Sequence, residues 1–579
     1  MVHYSTSHAE QQAIYDEQDL FSMTQCRWLF NDEQQLALRY VPFNIEALID
    51  IAVRSACARR CVSFKKISEG EHVSSLSPCC SYSPIIGITN RVFALTFDND
   101  VDYILKIPFP VAGPKHLCTA SEVATLDYLD TELGFPVPVV RAWSSHAEET
   151  PVGTEYILYE RFPGTSLSDF DKNEFFVTDD PYLRILPFLR LFEVQMTVLG
   201  FSQIGSLYYK EDVSQQLRDR PLYSNGITTA DSERFRIGPT IEREFWRAGR
   251  STLDIDRGPW PDDRTYMFAL GACARASVKA GLDADPDGAY LYLISVYEEL
   301  VPHMSPSRTS CTLWHPDLHA GNIIVDGHID VEDEHADSFE LSGIIDWQGA
   351  TVLPYYLQYR VPPAYEFTVS AEPLVQHSAD GLPKLADGYD DLCDEDKAAA
   401  QYALRRAWRA YGHEVALRDQ DARLAKDLYD ITGGARVLRL ACSPITAITR
   451  GGYSLAPLAR SIATVHRIWN VVVGADESGS PLASFPSAFS DEDRRRMEQE
   501  EARLEYTMGI CNDALARLGM HWEHEGLVHA EKYDEAKKIM EDARQAALAA
   551  APSAEERQRI AQDWPYQDGK PALSAERCW

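Results

Sequence analysis

The sequence of 579 residues is poor in positive charge: 55 Lys+Arg stand against 88 Asp+Glu, a formal net charge of −33. That balance argues against a protein that coats nucleic acid, whose affinity would rest on Lys and Arg neutralising phosphates. Apolar runs are short, and none approaches the roughly 18 residues needed to cross a bilayer, so no membrane span is expected. The opening stretch, MVHYSTSHAEQQAIYDEQDLF, lacks the apolar core of a secretory signal and the Arg-rich, acid-poor character of an import segment. Its cysteines are scattered without a C-x-x-C pair, and a chain this long needs no disulfide scaffold, so reduced thiols in the cytoplasm are expected. Neither G-x-x-x-x-G-K-[ST] nor G-x-G-x-x-G occurs, which removes the main support for nucleotide binding on P-loop or Rossmann folds. No internal repeat is visible.

What is present suffices for a large core, with 45% apolar and 11% aromatic residues. Residues 1–55 read as an amphipathic helical extension. From Cys61 short strand-like runs take over: CVSFKKI, RVFALTFDND and DYILKIPFP, with Asp98-Asn99-Asp100 as the turn of a hairpin. A helix follows, with Thr119 as its expected N-cap, Val123, Leu126 and Leu129 on one face, and Gly134 just past its end. Two further strands, around PVPVVRAW and TEYILYERF, complete a β-β-β-α-β-β order over 56–162. Residues 163–480 are mainly helical, interrupted by a strand pair around 312–346. Residues 481–579 read as a charged helical hairpin and a loosely ordered tail. A small sheet-rich lobe before a large helical lobe is the expected architecture, an α+β fold.

The chemistry concentrates in LWHPDLHAGNIIVD (313–326) and GIIDWQG (343–349). His315, Asp317 and Asn322 have the spacing H-x-D-x-x-x-x-N, and Asp346 ends a short apolar run. Phosphoryl transfer needs these residue types. One carboxylate orients and deprotonates the attacking hydroxyl, the role read for Asp317. An amide oxygen and a second carboxylate hold Mg²⁺ against nucleotide phosphates, which fits Asn322 and Asp346. His315 is read as a catalytic-loop residue, first as a hydrogen-bonding holder of the loop and only second as a direct participant.

With HPDLHAGN and IIDWQ in place, the chain resembles the aminoglycoside phosphotransferase family of the protein-kinase-like superfamily. The resemblance implies a two-lobed kinase-like fold, ATP and Mg²⁺ as cofactors, and transfer of a phosphoryl group to a small hydroxylated acceptor. It extends upstream. KIPFP looks like the strand whose lysine contacts the α/β-phosphates, making Lys106 that lysine. TASEVATL looks like the helix bearing its partner, Glu122. TEYILYERFPG looks like the hinge, where the backbone of Glu160, Arg161 and Phe162 would meet adenine. FSQIGSLYY, RFRIGPT, FWRAG and DRGPWP resemble large fungal members that include proteins named for altered mitochondrial inheritance, which implies mitochondria as an alternative to the cytoplasm. A catalytically inactive nucleotide-binding scaffold is the alternative in function.

Some features depart from that pattern or admit plainer readings. SEGEHVSSLSPCCSYSPIIGITNRVF fills the place of a short phosphate-covering loop, either as a genuine insertion or as a segment left in the gene model, and it weakens a phosphate grip through Gly70, Gly87 or Asn90. Thr119-x-x-Glu122 is also a capping box, a competing role for Glu122. His315 and His319 are spaced as an i,i+4 metal pair, but Pro316 argues against the helix this needs. Asp283, Asp285 and Asp287 begin a calcium-loop pattern that lacks its closing Glu, so a loop preceding a helix is the expectation. His521 and His524 read as a solvated helix end.

Overall fold

The computed structural model describes residues 17–68, 89–172, 180–283, 285, 288–304, 310–327, 339–358, 361–366, 374–378, 380–420, 434–449, 456–486, 491–517, 526–564 and 566–568. Gly70, Gly87, Asp287, His521 and His524 lie outside these residues.

The small lobe is built on a five-stranded antiparallel sheet. Its strands are β1 (Cys61–Ser68), β2 (Asn90–Phe97), β3 (Asp102–Pro108), β4 (Val140–Ser144) and β5 (Tyr156–Glu160), in the spatial order β1-β2-β3-β5-β4. Alternation explains β2, in which Phe93, Leu95 and Phe97 turn inward together. At the β2–β3 turn Asp100 takes the left-handed conformation, φ 60°, which Asp tolerates better than most residues. In β3 the alternation breaks: Leu105, Lys106 and Ile107 are all buried, with Lys106 opposite Val92 on one side and Ile157 on the other. A charge in mid-sheet at 4% exposure requires a partner.

The helix Leu117–Leu133 supplies it. Its cap lies three residues before the Thr119 expected from sequence: His116 holds the N-cap position without a side-chain cap bond, and Thr119 lies inside the helix, donating its hydroxyl to Glu155. The capping box is therefore not formed, and Glu122 is released for another role. Gly134 ends the helix in the left-handed conformation, φ 63°. Burial extends around most of this helix, as expected for one enclosed between the sheet and the rest of the molecule.

Two large apolar clusters make up most of the core of the large lobe among the described residues. The first joins Tyr182, Leu189 and Phe192 of the helix Pro181–Met196 to Ile323, Ile344 and Trp347 beneath the catalytic segments. The second packs the helices Asp263–Lys279, Ala289–Met304, Gly434–Thr449 and Ala456–Arg467. Asp283 pairs with Arg250 at 3.0 Å, and Asp285 accepts from the N–H groups of Tyr290 and Leu291, so Asp285 holds the start of a helix, as expected of a loop that precedes one.

The charged helices Asp491–Ala516 and Tyr533–Ala550 bury Cys511, Leu515, Ala536 and Met540 in one cluster. The expected loose tail is instead a helix, Ala554–Asp563, capped by Ser553 and anchored through Ile560 and Trp564. Between the charged helices, Leu527–His529 forms an antiparallel strand with Cys26–Trp28, and the Asn31 N–H donates to Asp568. Trp28, Leu527, Phe64 and Phe93 share one cluster, so the two extensions are tied to the small-lobe sheet.

Candidate active site

The strand Cys311–Trp314 pairs with Thr351–Pro354, and Ile323–Asp326 pairs with Glu340–Ile344. Between Trp314 and Ile323 the chain makes a loop and one 3-10 turn, Ala320–Asn322. Ile323 faces Ile344 in register, and the Ile345 N–H donates to the Asn322 carbonyl at 2.9 Å. Asn322 and Asp346 are thereby brought side by side from sequence positions far apart. The short strand Thr165–Ser166 joins the same sheet next to Ile323–Asp326, and the Ser166 hydroxyl donates to the Ala320 carbonyl. The segment just after Phe162 is thus fastened to the loop that carries Asp317 and Asn322.

The histidines act within that loop. His315 Nδ1 accepts from the Asp317 N–H at 3.0 Å, so its proton sits on Nε2, which donates to the Ile345 carbonyl at 2.9 Å. Burial pushes the imidazole down to about 4, which keeps it neutral. Its ring stands edge-on to the fully buried Trp347. His315 therefore clamps the loop to the strand end carrying Asp346, with both ring nitrogens engaged. His319 Nδ1 accepts from the Gly321 N–H in the same manner, and its Nε2 lies 3.6 Å from Asp317. These are loop-holding geometries, not a metal pair.

Lys106 Nζ lies 2.8 Å from Glu122 Oε1 and 2.8 Å from Asp346 Oδ1. Burial works against its charge, but the two carboxylates more than compensate and hold its pKa above the ordinary lysine value. For Asp346 burial is likewise overcome by Lys106, and its pKa falls. Glu122, 3% exposed, is pushed up by burial and pulled back by Lys106. Asp346 takes a left-handed backbone, φ 62°, and keeps 44% of its side chain open to the cleft. Asn322 Nδ2 donates to the Asp317 carbonyl at 3.0 Å, which leaves its amide oxygen without a hydrogen bond among the described residues. An amide oxygen beside a carboxylate suits a hard cation such as Mg²⁺.

Asp317 shares this cleft, which has a volume of about 620 Å³. Burial and the charge of Asp346 push its carboxyl up to about 8. Cys118 also lines the cleft, its thiol pushed up to about 12 by burial and so unreactive.

The hinge residues line the same cavity. Glu160 pairs with Arg141, and the Arg161 N–H donates to the Asp102 carbonyl at 3.1 Å. Phe162 lies so close to Gly343 that a Cβ there would stand 2.3 Å from its ring. Asn90 exchanges amide hydrogen bonds with Gln348, so its side chain is taken up within the protein. Gln348 escaped the sequence reading despite standing two residues after Asp346; its only signal was that proximity.

Residues 83–221 match the phosphotransferase enzyme family. Over that stretch the match agrees with the family resemblance seen in the motifs, and the five-stranded sheet lobe followed by a mainly helical lobe has the expected α+β architecture. The matched stretch holds Lys106, Glu122 and the hinge; Asp317, Asn322 and Asp346 lie beyond it and reach the same cleft through the fold. A subtelomeric hrmA-associated cluster protein of Aspergillus fumigatus is 32% identical over 347 residues, 52% of this chain and 63% of that protein. This chain thus spans less than two thirds of that relative's length. Altered inheritance of mitochondria protein 9, mitochondrial, of Saccharomyces cerevisiae is 24% identical over 560 residues, covering 84% of this chain and 83% of its own. Among solved structures, Plasmodium vivax ethanolamine kinase is 11% identical with a TM-score of 0.31, over 71% of this chain and 84% of that one. That likeness is too loose to transfer a substrate.

Proposed function

We propose that the chain is an ATP-dependent phosphotransferase that moves the γ-phosphoryl group of MgATP to a hydroxyl of a small acceptor. The observation that carries this reading is the buried bridge from Glu122 through Lys106 to Asp346, opening into the cavity that holds Asp317 and Asn322. Residues 56–162 would bind the nucleotide and 163–480 would supply the catalytic loop and acceptor site, with 1–55 and 481–579 as helical extensions. The family match over 83–221 supports a kinase-like phosphotransferase.

Adenine would meet the hinge, where the Phe162 N–H makes no hydrogen bond to any described residue and is free to donate. Lys106, fixed by Glu122, would present its ammonium to the phosphates. Asn322 and Asp346 would hold Mg²⁺, whose charge offsets that of the phosphates and favours the carboxylate form of Asp317. Asp317 would then orient the acceptor hydroxyl and take its proton. His315 holds the loop in register while this happens. Little covalent help is needed, because phosphoryl transfer relies mainly on positioning and electrostatics.

The non-catalytic scaffold reading draws on one observation, that Asn90 is bonded to Gln348 instead of standing ready for phosphates. The complete set Lys106, Asp317, Asn322 and Asp346 weighs against it. As for compartment, the names of the yeast relatives support the mitochondrial alternative over the cytoplasmic one. Single-turnover ATP consumption with Asp317→Asn, across a panel of hydroxyl compounds, tests the assignment. A loss of about 10²–10⁴-fold is expected for a lost general base, and undiminished transfer by the variant would remove Asp317 from that role.

A further inference from the structure

One wall of the cleft is formed by residues 241–247, in the loop after the strand Phe235–Gly238. The wall is stiff. Phe245 is fully buried against Trp260 and Tyr266. Trp246 donates its indole N–H to the Thr240 carbonyl at 2.8 Å, and the Arg257 guanidinium lies 4.2 Å over its ring. Behind it Arg250, paired with Asp283, donates to the Glu244 carbonyl. Side chains on such a wall are held in place before any ligand arrives.

Four charged side chains of this wall line the cavity: Glu242, Arg243, Glu244 and Arg247. Glu242 is committed to the hydroxyls of Tyr266 at 2.9 Å and Thr240 at 3.0 Å. Glu244 and Arg247 lie 3.9 Å apart and offset each other. Arg243 differs. It is half-buried, yet its guanidinium makes no hydrogen bond or ion pair with any described residue. In a chain of net charge −33 a carboxylate for it would be easy to place. A partly desolvated guanidinium, a rigid fork of donors shaped for carboxylate or phosphate, is costly to leave unmatched.

We infer that Arg243 is the anchor for an anionic group, a carboxylate or phosphate, carried by the hydroxyl acceptor, so that the substrate is a hydroxy acid or phosphate ester and not a cation. The inference rests on the phosphotransferase reading and names its substrate class. The nucleotide phosphates already have Lys106 and the metal held by Asn322 and Asp346. A second cation, on a different lobe and element from Lys106, serves a second anion. The acids on the same wall offer a cationic acceptor little, since Glu242 is engaged and Glu244 is offset by Arg247.

The test uses the full chain loaded with Mg²⁺ and a non-hydrolysable ATP analogue, titrated calorimetrically with inorganic phosphate and, separately, with choline. Phosphate is expected to bind more tightly than choline. Arg243→Gln should weaken phosphate about tenfold or more, the value of a charge-assisted hydrogen bond, while analogue affinity is unchanged. Arg243→Lys should fall between the two, keeping the charge without the fork. Absence of phosphate binding, tighter binding of choline, or equal phosphate affinity in Arg243→Gln overturns the inference. So does a variant that loses analogue affinity alone, which would assign Arg243 to the nucleotide. If the wild-type chain binds no analogue, the phosphotransferase reading fails, and the phosphate comparison without nucleotide judges Arg243 separately.

Discussion

Asn90 and Gln348, 258 positions apart, exchange a reciprocal pair of amide hydrogen bonds: Asn90 Nδ2 donates to Gln348 Oε1 at 2.8 Å, and Gln348 Nε2 donates to Asn90 Oδ1 at 3.1 Å. The pair joins the first residue of β2 to the segment that carries Asp346, and both residues line the cleft. Its removal should loosen Asp346 relative to Lys106. Asn90→Ala and Gln348→Ala are each expected to destabilise the chain, and the double variant should cost less than their sum, with a coupling of about 1 kcal/mol. Urea unfolding of the four proteins measures this. Strict additivity would show that the two amides act independently.

Breaking the Lys106–Glu122 pair on one side strands a buried charge. Lys106→Met should cost about 3–5 kcal/mol, whereas Lys106→Met with Glu122→Leu should recover much of that stability. Neither protein should retain nucleotide affinity. Thermal unfolding with and without MgATP separates the two effects, and equal stability of the single and double variants would contradict the expectation.

Glu242 links stability to pH. Burial, reinforced by Glu244, raises its carboxyl from the ordinary 4.5 to about 7. The folded chain therefore holds a proton that the unfolded chain has released between those values, and stability falls as pH rises through that window. The loss attributable to Glu242 reaches up to about 3 kcal/mol above the folded value. Glu242→Gln should flatten the pH profile, gaining on the wild type between about pH 5 and about pH 8. Parallel profiles in denaturant titrations at those two pH values would contradict this.

Gly343 sits against the hinge. A methyl group there meets the Phe162 ring at 2.3 Å, and Phe162 belongs to the segment assigned to adenine. Gly343→Ala should cost about 1–3 kcal/mol through overpacking, and Gly343→Ala with Phe162→Leu should recover part of it. A single variant as stable as the wild type would mean that the hinge shifts freely.

The sequence made the small lobe legible because its signals are local: alternation in β2, a turn at Asp98-Asn99-Asp100, and a glycine after the helix. Asp317, Asn322 and Asp346 were legible because their spacing is set by one hairpin. What escaped depends on distant partners. Thr119 looked like an N-cap until Glu155 claimed its hydroxyl, whereas Glu122 beside Lys106 at 2.8 Å is the pairing that the family resemblance implied. Gln348 has no local reason to face Asn90, and Arg243 is notable only for lacking a partner among the described residues. The helix Ala554–Asp563 was hidden by a polar composition whose few apolar residues, Ile560 and Trp564, find their pocket in another part of the chain.

The pairing of Cys26–Trp28 with Leu527–His529 has a consequence for synthesis. At roughly 5–20 residues per second, the first strand leaves the ribosome about 25 to 100 s before its partner has been made. Throughout that interval Trp28, fully buried in the finished protein, has no native cover from Leu527. Both lobes can collapse in the meantime, but the layer joining the two extensions closes last, and a nascent chain stalled before residue 527 would carry an open strand edge suited to chaperone capture.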